Sequence, residues 1–510
     1  MARIVLSADY SLMTNFRELP LATFFSCIPT DFWYSRFAFR ALAPAPPHRN
    51  GEAVWAPYGL RKLEAALLQD FRRDEIVVAH PQHVNQFIGP ETEVVGLHTM
   101  DPLGLGPVSM SFTNGGVMTP YTKACFEDLV LNLPNGNRKF KLVVGGAGVW
   151  HFDYRPEEKE RYGIDHLVAG EVDHIVGDIF RDIMDGTAPE MYPAPLNPPK
   201  LEEIPPIVAP SMHGMIEVMR GCGRGCQFCE VTLRKLRYFS PEYIQQEAAI
   251  NAKVGLKNAW IHSDDIFLYK VENYRTMMPN GDAIKEIFQA AMDVKGIESG
   301  NPTHGTLASV AADPDLIHDL SQILNGNGGQ RKWVGIQSGL ETGSVSLVEK
   351  VMPRKLLPYQ PSEWPEVVRE SIKILNENKW FPALTAIIGL PGETSEDAYD
   401  TCVLLDEMEK VMDHPHYIVA PLSFVPIGVL RGEEFYRFDE MMDEARFNVV
   451  YRCWKSILRE IDETLWGLSS MPLLVKTLVN TVGRIGSRHV LGIIERFADR
   501  RGYKIWPALA

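Results

Sequence analysis

Cysteine is scarce in this chain of 510 residues: there are seven, an odd number, which excludes a disulfide scaffold and turns any local cluster of thiols into a candidate for chemistry. Basic residues are in the minority as well. With 51 Lys and Arg against 65 Asp and Glu, the formal net charge is -14, which argues against a generic nucleic-acid binder, because phosphate neutralisation needs positive charge. No run of about 18 uncharged apolar residues occurs, so no membrane span is expected. Met1 to Asp9 lacks a basic segment followed by an apolar one, so no secretory signal is expected and the chain reads as cytoplasmic. Internal repeats and low-complexity runs are also missing. What is present is 45% hydrophobic and 23% charged residues, the balance of a large protein with full-sized cores.

Short apolar runs at residues 3–8, 75–79, 92–97, 140–144 and 166–169 read as strands, with helices over 58–71 and 173–184. Nearly wholly apolar strands separated by helices predict an α/β, doubly wound parallel sheet over residues 1–195, whose ligands would sit beyond the strand carboxyl ends. Prolines at 198, 199, 205, 206 and 210 mark an extended connector over 196–210. A second series follows over 211–430. Strands are expected at 214–219, 258–262, 305–310, 333–337, 383–389 and 417–424, and helices at 242–254, 282–294 and 364–376. Six βα units suit an incomplete barrel, with its site again at the strand carboxyl ends. Residues 431–510 have helical periodicity.

Directly after the first strand of the second series stands Gly221-Cys222-Gly223-Arg224-Gly225-Cys226-Gln227-Phe228-Cys229. Three thiolates on one glycine-rich loop can ligate three corners of an iron-sulfur cube, leaving the fourth iron without a protein ligand. The alternatives are a zinc site, which generally recruits four ligands, or three incidental thiols. The loop resembles the cluster-binding loop of the radical S-adenosylmethionine (SAM) superfamily, down to the aromatic Phe228 before the third cysteine. That resemblance implies that Cys222, Cys226 and Cys229 hold a [4Fe-4S] cluster. Ser263-Asp264-Asp265 is similar to the acidic motif that meets the SAM amino group. The stretch from Gly335 to Glu341, containing Gln337 and Ser338, stands where the family places its ribose motif. Gly389-Leu390-Pro391-Gly392 resembles the turn that packs on the adenine. Phe228, Asp264, Asp265, Gln337, Ser338, Leu390 and Pro391 are therefore expected at SAM.

A doubly wound domain, a proline-rich connector and such a barrel resemble together the cobalamin-dependent radical SAM enzymes, the class B methyltransferases. The resemblance places cobalamin at the strand ends of the first domain, near His98, Leu103, Gly104, Gly145, Gly146, Gly148, Gly170 and Glu171. No D-x-H-x-x-G motif is present, so the nucleotide base is expected to be displaced without a histidine from that motif; His80 and His98 are the histidines that could approach cobalt. The implied activity is methylation of an unactivated sp3 carbon of a protein or peptide side chain, or of a lipid. One SAM would methylate the cobalamin and a second would provide the radical. An electron donor such as ferredoxin or flavodoxin is implied. The same cofactors also serve ring or carbon-carbon bond formation without net methyl transfer, and a cobalamin and iron-sulfur sensor is the rival of another class. The remaining cysteines read as scattered buried thiols.

Residues 432–470 read as two aromatic-rich helices capping the barrel mouth. From Met471 onward seven basic residues face two acidic ones, which predicts a helix pair with a solvated basic face; an anionic protein or lipid surface is the other reading.

Overall fold

The computed structural model describes residues 2–18, 20–134, 138–325, 333–463 and 473–509. The first sheet has six parallel strands: β1 (Ile4–Ala8), β2 (Ile76–Val78), β3 (Val94–His98), β4 (Lys141–Gly145), β5 (His166–Val168) and β6 (Met191–Tyr192), in the order β2-β1-β3-β4-β5-β6. Alternation along each strand feeds two cores. Val5, Val95 and Leu97 enter one, while Ile4, Leu6 and Val94 enter the other, so both faces are covered and the doubly wound expectation holds. The strand order reverses between β1 and β3, where ligands of such sheets bind. Ala8, His98 and Gly145 end their strands side by side there.

The second series contains β7 (Met215–Glu217), β8 (Asn258–His262), β9 (Ser299–Pro302), β10 (Val334–Glu341), β11 (Trp380–Ile388) and β12 (Ile418–Ser423). All pair in parallel and in chain order, as β7-β8-β9 and β10-β11-β12, with a bridge between His304 and Gln337 joining the two triplets. The expected strand at 305–310 is corrected: the strand is Ser299–Pro302, and Leu307–Ala312 is a helix. Gly and Pro disguise the strand, while the alanines that follow favour helix and a short apolar run has no decisive period. Helices that position the site are α1 (Tyr58–Leu67), α2 (Pro107–Phe112), α3 (Pro241–Ala252), α4 (Leu307–Ala312), α5 (Val345–Val351), α6 (Glu444–Glu463) and α7 (Leu473–Arg501). The expected C-terminal helix pair is one 29-residue helix, α7, packed through Gly486 against Tyr34, with Arg484, Arg488, Arg496 and Arg500 exposed. Part of the pair expected over 432–470, residues 464–470, lies outside the described residues.

Residues 196–210 do not behave as a free tether. Ile204 and Ile207 are buried, and the carbonyls of Pro205 and Pro210 accept from Lys62 and Arg61 of α1. At the centre of this junction is Glu247 on α3, wholly buried. It accepts from Lys62 Nζ (2.7 Å), from the Tyr58 hydroxyl (2.8 Å), and from the backbone N–H of Ile207 (3.1 Å) and Glu217 (3.2 Å). Burial and the Glu247 charge push the Tyr58 phenol well above its ordinary pKa, so it stays a donor. Removing one partner of a buried ion pair costs about 3–5 kcal/mol, because the other charge is left stranded. Glu247→Ala is expected to destabilise the chain by about that much in chemical denaturation, while Glu247→Gln, which keeps the acceptor oxygen, loses less; equal stability of Glu247→Ala and wild type would contradict the role assigned to this junction.

Candidate functional site

The cysteine loop leaves the end of β7 through Arg220, which is held by Glu217 (2.9 Å) and by Asp173 (2.8 Å) and Glu171 (3.0 Å) from the loop after β5. Gly221 then turns at φ +85, and a Cβ there would lie 2.7 Å from the carbonyl oxygens of Arg234 and Lys235, so the turn demands glycine. Its N–H donates to Asp264 Oδ2 (2.8 Å). Arg224, 2% exposed, is the loop's anchor. Its Nε binds Asp265 Oδ2 (2.9 Å), Nη2 binds Ser309 Oγ (2.7 Å) on α4, and Nη1 reaches the carbonyls of Lys355 and Leu357 (3.2 Å each). Farther along, Gln227 N donates to Val351 O (3.0 Å) at the end of α5, and Gly428 lies against the Cys229 backbone.

Cys226 is buried, and Cys222 and Cys229 are half-buried. Burial raises all three thiol pKa values, that of Cys226 to about 12, while Lys355 lowers those of Cys226 and Cys229. Iron binding here must therefore displace protons, as thiolate ligation does. Among the described residues no group of three or more His, Cys, Asp and Glu side chains is arranged around one metal ion. A cube asks something else of the loop, since each thiolate binds a different corner. The donor chemistry, three soft sulfur atoms on one pinned loop, fits a [4Fe-4S] cluster.

The expected SAM residues divide. Asp264 is half-buried at the end of β8, with Oδ2 taken by Gly221. Asp265 instead turns inward: it accepts from Arg224, from Phe267 N (3.3 Å), from Thr306 N (3.3 Å) and from the Thr306 hydroxyl, so its oxygens are committed to the protein. Gln337 and Ser338 are neighbours on β10 and point to opposite faces. Gln337 shares its face with Gly335 and Gly339, and its backbone carbonyl accepts from Gly305 N (3.0 Å); Ser338 shares the fully apolar face of Ile336 and Leu340, where its hydroxyl has no partner. Ser263 Oγ, beside Asp264, is likewise buried without a partner, the kind of orphan a polar ligand satisfies. Leu390 is buried and Pro391 half-buried in a turn whose Gly389 (φ +83) faces the Tyr436 ring and whose Glu393 pairs with Arg446 (2.7 Å) on α6. Phe228 packs on the apolar core of the second series, with Lys355 Nζ 5.9 Å from its ring centre.

The cobalamin positions divide more sharply. Leu103 and Gly104 line a cavity of about 630 Å³, together with residues 114–120 and 435–440. The other six do not. The His98 ring fills the space between Gly59 and Gly146, and burial drops its pKa to about 4. A Cβ on Gly145 would meet Val168, one on Gly148 would strike Met100 and Pro102, and one on Gly170 would strike Ala194. These glycines serve contacts inside the protein. Glu171 is held by Arg220 and Arg237. His80 is buried in a trio with His48 and His83, its ring centre 5.2 Å from each. The fit to cobalamin thus rests on the cavity beyond Leu103 and Gly104. Two residues at the cluster loop escaped sequence reasoning, Arg224 in its anchoring role and Lys355; a basic residue beyond a helix end carries no signal distinguishing it from a solvated one.

Asp265→Ala is expected to strand the buried Arg224 guanidinium, to cost about 3–5 kcal/mol and to lower iron uptake on reconstitution. Asp264→Ala is expected to cost about 1 kcal/mol, the worth of one hydrogen bond. Denaturation curves and iron analysis of both variants check the difference.

Residues 216–405 match the family model described as Radical SAM superfamily. A tRNA-2-methylthio-N(6)-dimethylallyladenosine synthase of Hydrogenovibrio crunogenus is 25% identical over 57% of this chain and 57% of its own length. The ribosomal protein uS12 methylthiotransferase RimO of Cytophaga hutchinsonii is 22% identical over 39% of this chain and 42% of its own. The match spans about half the length of these curated relatives. Among solved structures, the radical S-adenosylmethionine methyltransferase TsrM from Kitasatospora setae, with tryptophan and a SAM analogue bound, superposes with a TM-score of 0.53 at 15% identity, covering 84% of this chain and 75% of that one, which shows a shared fold. The stretch that carries the three-cysteine loop and the β8 to β11 strand ends is a radical SAM domain.

Proposed function

We propose that the protein is a cobalamin-dependent radical SAM C-methyltransferase acting on an unactivated sp3 carbon of a protein or peptide side chain. The observation that carries this reading is the way the two sheets meet. Helix α2, which follows the β3 loop, packs on β12, with Ser423 N donating to Ser111 Oγ (2.6 Å); Tyr154, after β4, donates to Pro426 O (2.7 Å). Arg220 ties the start of the cysteine loop to the loop after β5. Carboxyl ends of both sheets therefore share one interface, as two cofactors acting on one carbon require.

When bound, the cluster and SAM supply hydrogen abstraction from an unreactive carbon, and cobalamin supplies the methyl group. The chain's own part is placement and shelter. Cys222, Cys226 and Cys229 would hold three irons and leave one for SAM. Asp264, with one oxygen already on Gly221, is oriented for a SAM amino group, and Gln337 faces the same side of β10 as Gly335, where a side chain would meet nothing. Asp265 acts through Arg224 as a positioning residue. The packed junction at α2 and β12 keeps water from the reacting volume. A low-potential one-electron donor of the ferredoxin or flavodoxin type is the partner this chemistry needs.

With substrate, SAM, cobalamin and reductant, S-adenosylhomocysteine and 5'-deoxyadenosine are expected to form in a ratio near one, and cells lacking the protein to show a peptide lighter by the mass of one CH2. The variant with all three loop cysteines changed to Ala should hold no cluster and form neither product, against about four irons per wild-type chain. Deoxyadenosine formed with turnover while adenosylhomocysteine stays at its priming level would replace methyl transfer with ring or carbon-carbon bond formation.

A further inference from the structure

Lys355 is a charged residue that the assignment above leaves unused. It lies beyond α5, and its ammonium is almost wholly buried, 2.6 Å from Glu341 Oε1. Glu341 ends β10 in a left-handed conformation (φ +65), where the pairing with β11 shifts register, and its second oxygen accepts from Thr385 Oγ1 (3.0 Å). A non-glycine residue in that conformation is uncommon and needs its surroundings to hold it. Gly339 makes the pair possible: a Cβ there would lie 1.8 Å from Glu341 Oε1 and 2.2 Å from Lys355 Nζ. On its other side the ammonium stands over the Phe228 ring, while the Lys355 carbonyl accepts from Arg224. Segment 350–355 also takes Gln227 N–H on Val351 and the Gln227 side-chain amide on Lys350 (2.9 Å). The loop's middle is thus bracketed by this segment, and the Lys355 charge stands over Phe228, the loop residue between Cys226 and Cys229.

We propose that Lys355, aimed by Glu341 through the gap at Gly339, is a positioning residue that sets the reduction potential of the cluster held by Cys222, Cys226 and Cys229. The inference rests on the reading of the loop as a cluster site. The step concerned is a one-electron reduction: an external low-potential donor loses one electron, the oxidised 2+ cube gains it to become 1+, and no bond or proton is exchanged. A fixed positive charge in a low-dielectric setting stabilises the added electron, whereas an exposed lysine would be screened. Glu341 offsets part of that charge, so the pair tunes the potential in both directions.

The test is a dithionite titration of the anaerobically reconstituted full-length chain, without SAM, followed by electron paramagnetic resonance. Lys355→Met is expected to keep its iron but to require a lower potential: at a fixed ambient potential the reduced-to-oxidised ratio falls about tenfold, which is about 59 mV for one electron. Lys355→Arg should restore the wild-type midpoint, and Glu341→Gln, which leaves the ammonium uncompensated, should shift it upward. An unchanged midpoint in iron-replete Lys355→Met overturns the proposal, as does a change in SAM affinity with no change in midpoint. Should Lys355→Met fail to hold iron, Glu341→Gln decides: an unchanged or lower midpoint overturns the proposal. Wild-type protein that takes up no cube would refute the cluster reading itself, a result separate from all of these.

Discussion

A buried arginine with nowhere else to go governs the site. Arg224 sits in the middle of the cysteine loop with its guanidinium out of water, and it satisfies its donors on Asp265, Ser309, Lys355 and Leu357, groups that come from three separate parts of the second series. A guanidinium cannot shed its proton, so burial has to be offset by partners in fixed geometry. Meeting that demand draws the β8 end, α4 and the segment after α5 onto the loop. Three flexible thiols thereby acquire fixed positions. Without the anchor a glycine-rich loop of this length would have little reason to prefer one conformation.

The same principle operates between the sheets. Glu247 gathers Lys62, Tyr58 and two backbone N–H groups in a dry junction, and Arg220 gathers Glu217, Asp173 and Glu171. Charges buried in such networks impose orientation, since a small rotation of one domain would leave several of them unpaired. The consequence is functional: the β3 loop, the β4 loop and the segment after β12 stay together, and the cavity beyond Leu103 and Gly104 forms between first-domain residues and 435–440. Proline-rich residues 196–210, which composition alone presents as a spacer, are part of this joint.

Strand periodicity, the two sheets and the cysteine loop were legible in the sequence because each is encoded by neighbours along the chain: apolar alternation, glycine next to cysteine, a fixed spacing of thiols. β9 was not, since Gly300 and Pro302 hide it and its pairing with β8 comes from packing. Gly146, Gly148 and Gly170 are glycine because protein atoms fill the space a side chain would need, and a one-dimensional pattern cannot tell a filled gap from an empty one.

By itself, then, the sequence determined the chemistry on offer: three soft ligands in one loop, acidic groups at the next strand end, and apolar strands that must be buried on both faces. Tertiary structure decided which of those groups are free to use it. Asp264 and Asp265 are adjacent, yet one faces the loop's entry and the other is consumed by an arginine 41 residues away. Gln337 and Ser338 are adjacent, yet the pleat sends them to opposite sides. Lys355 carries no signal in the sequence and meets Phe228 and Arg224 of the cysteine loop only after α5 has packed. The physical reason is common to all three: residue type sets what a group can do, whereas desolvation and partnering, which determine what it does, depend on contacts between segments far apart in the chain.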